Sequence, residues 1–252
     1  MVGLGKTVQL AMAAKLIALY DEKPILIIVP KTLLYQWQDE LMTLLNLPSA
    51  VWTGRYWVDE NGYEYPADST RAILKCPRKV GIISQGLITR KSESAGHLLN
   101  LRYACVILDE AHRARRKPGK DPDQYKAQRN NLLEFMNEIS PITKSLLLAT
   151  ATPVQIDPIE AFDLLEALSN HQEAEKILGD KHSVWRRSPM QCLKYIQAQT
   201  CHTINLSIKY IFHKTINDAT KKYYQRIHNT GNYNVKPTQH QWYHKSNLGN
   251  LH

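Results

Sequence analysis

Three short strings hold residue types that handle phosphate, metal and water. The first is Gly3-Leu4-Gly5-Lys6-Thr7, which opens a helical pattern. Glycines let backbone N–H groups close around phosphate oxygens at the positive end of a following helix. In such a loop Lys6 neutralises the β- and γ-phosphates of a nucleotide, and the Thr7 hydroxyl sits on Mg²⁺. The second string is Val106-Ile107-Leu108-Asp109-Glu110-Ala111-His112. An apolar strand ending in paired acids sets both carboxylates at the carboxyl edge of a sheet, where α/β folds bind ligands. Asp109 is suited to ordering the Mg²⁺ shell, and Glu110 to orienting and deprotonating an attacking water. The third is Leu146-Leu147-Leu148-Ala149-Thr150-Ala151-Thr152-Pro153, another apolar run ending in hydroxyls. Thr150 and Thr152 can hydrogen-bond His112 or the acids, linking the nucleotide state to movement of a neighbouring lobe.

Each string alone also has a plainer reading. Acids often decorate a solvated helix N-terminus, and Thr-Pro makes a good capped turn between strand and helix. A phosphate loop upstream of paired acids shifts the balance to chemistry. The full loop pattern asks for another small residue five positions before Gly5, a place ahead of Met1. The strand that feeds such a loop would lie there too.

The elements needed to position these strings are legible from residue 1 to about 170. Apolar runs at Ile25–Val29, Val80–Ser84, Cys105–Leu108 and Ser145–Ala149 read as strands buried on both faces. Leu34, Trp37, Leu41, Leu44 and Leu45 recur at helical spacing, as do Leu132, Phe135, Met136 and Ile139. Alternating runs and helices predict an α/β fold with a mostly parallel sheet and helices on both faces, lacking its first strand. Trp37 reads as a core residue of its helix. Residues of about 53–72 break the alternation and read as an insertion, with a hairpin at Asn61-Gly62. Arg113 to Asp123 reads as a charged loop, 171–199 as a helical extension, and 200–252 as a basic, poorly defined tail.

Of the net charge of +9, the segment from Cys201 onward supplies +6, with seven Lys/Arg against Asp218. The remaining excess is too small to argue for nucleic-acid binding by charge alone. That abrupt loss of acids leaves two readings of the tail, a basic appendage or the product of a reading-frame slip. Four cysteines without C-x-x-C spacing argue against a zinc site or a disulfide framework and for a reduced, cytoplasmic setting. The longest apolar runs are too short to span a bilayer.

The three strings, in this order, resemble superfamily-two helicases, and in detail their Swi/Snf-type branch of double-stranded-DNA translocases. Gly-Leu-Gly-Lys-Thr followed by Val8-Gln9 is similar to that branch. So are Ile28-Val29-Pro30-Lys31-Thr32-Leu33-Leu34 with Gln36-Trp37, the Asp-Glu-Ala-His box, and Thr150-Ala151-Thr152-Pro153-Val154-Gln155. The resemblance covers residues of about 2 to 170 and identifies the chain as the first RecA-like lobe of a P-loop motor.

The resemblance implies ATP hydrolysis with Mg²⁺, coupled to movement along double-stranded DNA. It places Pro30, Lys31, Thr32 and Ser84 near the DNA backbone, where phosphates are tracked without reading bases. It implies Gly3, Leu4, Gly5, Lys6 and Thr7 at the nucleotide, Thr7 and Asp109 at the metal, and Glu110 with Lys6 in catalysis. His112, Thr150 and Thr152 are implied to couple hydrolysis to lobe motion. The family closes its site with a second RecA-like lobe carrying arginine fingers. Nothing after about 170 resembles that lobe, and Arg186-Arg187 and Arg226 lack its motif. A first lobe truncated at both ends is therefore expected, with the partner lobe in cis or trans. No membrane is expected, and the setting is cytoplasmic, nucleoid-associated in a bacterium. Two alternatives stand beside the translocase: a helicase subunit of a bacterial restriction or phage-defence system, and a non-catalytic remnant that binds nucleotide or DNA weakly.

Overall fold

The computed structural model describes residues 5–116, 129–152, 159–170, 178, 182–188 and 192. All of them lie in the first of the two units into which the chain divides, Met1–Thr200. The tail from 200 onward, and most of 171–199, fall outside the described residues.

Helix α1 (Lys6–Tyr20) is rich in Ala, Leu and Met, so intrinsic propensity rather than an amphipathic stripe accounts for it. It rests on the sheet through the small residues Ala11 and Ala14. Strand β1 (Ile25–Val29) follows, buried along its whole length. After a 3₁₀ turn over Lys31–Leu33, helix α2 (Leu34–Leu45) buries Leu34, Trp37 and Leu41. Asn46 ends it in the left-handed region, φ 47°, which Asn adopts more readily than most residues.

Strands β2 (Ser49–Trp52), β3 (Trp57–Asp59) and β4 (Glu64–Tyr65) come next, then β5 (Val80–Ser84). Short helices α3 (Gln85–Thr89) and α4 (Glu93–Leu98) lead to β6 (Cys105–Leu108). Helix α5 (Asn131–Ile139) is capped by the Asn130 side chain, which accepts the N–H of Leu133. Then come β7 (Leu146–Leu148), α6 (Ile159–Ser169) and α7 (Val184–Arg187).

The sheet has seven strands in the order β4-β3-β2-β5-β1-β6-β7. Pairings from β2 through β7 are parallel, and β3 and β4 add an antiparallel edge. Alternation along β1 sends Ile25, Ile27 and Val29 to the core under α1 and α2, and Leu26 and Ile28 to the core under α5 and α6. Helices therefore cover both faces. Each fully buried aliphatic side chain contributes roughly 1.5–3 kcal/mol, and β1 and β6 consist of such residues apart from Cys105. This is the α/β lobe that the sequence led us to expect.

Two features differ from the sequence reading. Ser49–Trp52 is a parallel strand beside β5, so the sheet gains a strand ahead of the irregular segment. The hairpin around Asn61-Gly62 is the antiparallel edge of the main sheet. Asp59 organises its turn by accepting the N–H groups of Asn61 and Tyr63, both at 3.0 Å. Gly62 supplies the φ of 79° that the turn needs. Trp57 packs against β5, where a Cβ on Gly81 would come within 3.0 Å of its ring.

Candidate active site at the carboxyl edge of the sheet

Strands β1, β5, β6 and β7 run parallel, so Val29, Ser84, Leu108 and Leu148 finish at one edge. Helix α1 is long enough to reach that edge. Its far end is pinned at the opposite edge, where Lys79, just ahead of β5, donates to the Ala18 carbonyl at 2.8 Å. Fifteen residues of helix span about 22 Å, more than the length of a five-residue strand. Gly5, Lys6 and Thr7 thus start from the edge at which the acids end. Gly5 has φ 67°, a left-handed value suited to glycine, and Lys6 and Thr7 are half-buried. Gly3 and Leu4 lie outside the described residues.

Asp109 is held on every side. Its N–H donates to the Ile28 carbonyl at 3.0 Å, continuing the β1–β6 ladder. Its carbonyl accepts the Gln85 side-chain amide at 2.6 Å. One carboxylate oxygen accepts the Trp37 indole N–H at 3.1 Å, and the other accepts the backbone N–H of Glu110 at 2.9 Å. The residue is only 7% exposed, yet no Lys, Arg or His among the described residues forms an ion pair with it. A buried carboxylate without a counter-charge is costly. A divalent cation answers that cost, and each oxygen keeps a lone pair free to reach it. Among the described residues no three His, Cys, Asp or Glu cluster as a metal cage. Mg²⁺ needs no such cage, since it commonly binds one or two carboxylates together with substrate phosphates and water. The residues present therefore fit Mg²⁺ held jointly with a nucleotide.

Glu110 lies in the left-handed region, φ 50°. For a non-glycine residue this conformation costs on the order of 1–3 kcal/mol, and Asn46 and Lys91 adopt it as well. It turns the chain sharply after Asp109. The Glu110 carboxylate meets His112 Nδ1 at 3.2 Å, and the same nitrogen lies 3.2 Å from the Thr150 hydroxyl. Thr150 in turn accepts the N–H of Thr152 at 3.1 Å. The backbone repeats the link, because the Ala111 N–H donates to the Ala149 carbonyl at 2.8 Å. Glu110, His112, Thr150 and Thr152 thus form one chain across the ends of β6 and β7, while Pro153, Val154 and Gln155 lie outside the described residues.

The DNA-facing expectations are placed at this edge too. Lys31 and Thr32 are exposed. Pro30 is buried and its carbonyl accepts the N–H of Leu33 at 2.9 Å, so it shapes the turn. Ser84 caps α3, its hydroxyl accepting the N–H of Gly86 at 3.1 Å.

Three features escaped the sequence reading. Trp37 belongs to the core, as expected, but its N–H is committed to Asp109. Gln85 is 3% exposed and is spent on the Asp109 backbone; a glutamine directly after an apolar strand was the available signal. Lastly, Arg115 and Arg116 anchor the segment behind the acid box to α6. Arg115 pairs with Glu160 at 2.9 Å, and Arg116 with Asp163 at 2.7 Å and Glu166 at 3.0 Å. Burial pushes the Asp163 carboxyl above its ordinary value despite the opposing pull of Arg116.

A mostly parallel sheet covered on both faces, with an acid pair and a glycine-started helix at its carboxyl edge, defines a RecA-like lobe. A family profile described as SNF2-related domain matches residues 2–251. The chain belongs to that family, one of ATP-dependent motors and hydrolases. Among its curated relatives is the RNA polymerase-associated protein RapA of Pectobacterium carotovorum, 29% identical over 169 residues, 66% of this chain and 16% of RapA. RapA of Cronobacter sakazakii is 29% identical over 170 residues and RapA of Haemophilus influenzae 28% over 169. The chain thus spans 16–17% of the length of these relatives. The solved helicase domain of Hef from Pyrococcus furiosus overlaps 66% of this chain and 31% of its own, at 22% identity and a TM-score of 0.46. No helix among the described residues is long and apolar enough to cross a membrane.

Proposed function

We propose that this chain is the ATP-binding lobe of a motor that couples ATP hydrolysis to movement along double-stranded DNA. The observation that carries the reading is the buried, cation-free Asp109 carboxylate beside a strained Glu110, at the edge where α1 begins. Lys6, Thr7 and the glycine loop hold the phosphates. Mg²⁺, when bound with ATP, screens charge on the phosphoryl group being transferred. Asp109 orders the metal's shell, and Glu110 takes the proton of the attacking water. His112 holds the Glu110 carboxylate and reports its state through Thr150 and Thr152 to the end of β7. Lys31, Thr32 and Ser84 face the DNA backbone, with Pro30 fixing the turn between them and β1. Charge developing in the transition state is completed by an arginine finger from a second RecA-like lobe, in cis or in trans.

The test is ATP turnover by the purified chain, with and without duplex DNA and a separately supplied second lobe of the family. DNA-stimulated turnover that disappears in Lys6→Ala and Glu110→Gln is the expected result. Absence of both turnover and nucleotide binding under every one of these conditions would contradict the proposal.

A further inference from the structure

Two hydrogen bonds to Asp109 come from the two segments expected to face DNA. Trp37 lies in the first turn of α2, directly behind the Lys31–Leu33 turn. Gln85 is the residue after Ser84 and the first of α3. Their side chains are 1% and 3% exposed. Both converge on a single residue, Trp37 on the carboxylate and Gln85 on the carbonyl.

We infer that Trp37 and Gln85 are positioning residues that link occupancy of the DNA-facing segments to the metal–nucleotide affinity of Asp109. The inference rests on the function proposed above and adds the path by which DNA reaches the site. Buried hydrogen bonds at 3.1 and 2.6 Å leave no room for water to absorb a displacement. If DNA shifts or stiffens either segment, the change arrives at Asp109. The indole sets the direction of the carboxylate, and the amide sets the height of the backbone that bears it. Partners that orient a metal-binding carboxylate in this way commonly affect metal affinity by roughly 10-fold or more. Linkage is reciprocal, so Mg²⁺–nucleotide tightens DNA by the factor that DNA tightens Mg²⁺–nucleotide.

The fold supplies a matched control. Gln38, on α2 one residue after Trp37, is also buried, but it donates to the Ser49 and Val58 carbonyls at 3.0 and 3.2 Å. It ties the helix to the hairpin side of the sheet and does not touch Asp109.

The experiment titrates Mn²⁺, as a paramagnetic stand-in for Mg²⁺, into the full chain with a non-hydrolysable ATP analogue, with and without duplex DNA. Free metal is read by electron paramagnetic resonance, and a urea midpoint is recorded for every variant. Trp37→Phe, which keeps the ring and loses the N–H, is expected to weaken Mn²⁺ roughly 10-fold. Gln85→Met and Trp37→Phe are both expected to bring the DNA-induced gain in affinity towards one-fold, whereas Gln38→Met lowers the urea midpoint and leaves that gain intact. If Trp37→Phe does not fold, Gln85→Met carries the test alone. Wild-type affinity and wild-type DNA dependence in the folded variants would overturn the inference and leave the proposed function standing, as would a wild type whose metal–nucleotide affinity ignores DNA. A wild type that binds no metal–nucleotide at all would overturn both.

Discussion

Asp59 in the edge hairpin and Asp109 at the end of β6 are buried to a similar degree, 4% and 7% exposed, yet they are treated in opposite ways. Asp59 accepts two backbone N–H groups, the Tyr65 hydroxyl at 3.1 Å and the Arg78 guanidinium at 2.7 Å. Burial works against its ionisation, but the N–H groups of Tyr63 and Asn61, with Tyr65 and Arg78, outweigh it and hold its pKa below the ordinary value. Asp163 is 0% exposed and likewise receives an arginine, Arg116. The Asp109 carboxylate has two hydrogen bonds and, among the described residues, no cation. The acids whose work is structural are supplied with a counter-charge by the fold. The acid at the candidate site lacks one among the described residues, as the proposed function requires of a carboxylate that shares Mg²⁺ with ATP.

The contrast predicts a graded series of stability changes. The largest belongs to Asp163→Ala, because Asp163 is fully buried and Arg116, less exposed than Arg78, is left with Glu166 alone as an ion-pair partner among the described residues. Breaking a buried pair in this way costs about 3–5 kcal/mol, readable as a lowered urea midpoint. Asp59→Ala is expected to cost less, about 1–2 kcal/mol, because Arg78 retains Glu60, which it meets through Nε and an amino nitrogen at 2.9 Å. The smallest change belongs to Asp109→Asn without nucleotide, about 1 kcal/mol or less in either direction. If Asp109→Asn destabilised the metal-free protein as much as Asp163→Ala, the distinction between structural and site acids would fail.

Acid titration sharpens the same comparison. The native pKa of Asp59 is depressed, so its contribution is present above the unfolded value of 3.8 and is lost as pH falls through the lower native value. Wild type and Asp59→Asn are therefore expected to differ in stability at neutral pH, with the difference starting to shrink near pH 3.8 and closing only below the lower native value. Thermal midpoints across that range provide the check.

The sequence disclosed the parts of this site that repeat locally. Ile25–Val29, Val80–Ser84 and Cys105–Leu108 are continuous apolar runs with sharp ends, and the structure returns those bounds. Ser49–Trp52 was hidden because four residues of mixed type carry no period, and its strand identity comes from β5, some thirty residues on. Periodicity placed Trp37 on the buried face of α2. It had no means of naming the partner of its N–H, 72 residues away. The pairs from Arg115 and Arg116 to α6 are hidden for the same reason, at separations of 45 and 47 residues. Identity of side chains was legible; the hydrogen bonds that aim them depend on how distant elements pack.

In the proposed function Asp109 is the acid that shares a cation with ATP. Its most direct test is the thermal midpoint of the chain with ATP in Mg²⁺ against ATP in chelator, compared among wild type, Asp109→Asn and Asp59→Asn. A ligand at 100 times its dissociation constant adds about 2.7 kcal/mol, or roughly 5–11 °C at about 2–4 °C per kcal/mol for a chain of this size. The account predicts that Mg²⁺-dependent gain in wild type and Asp59→Asn, and its loss in Asp109→Asn. An undiminished gain in Asp109→Asn would contradict it.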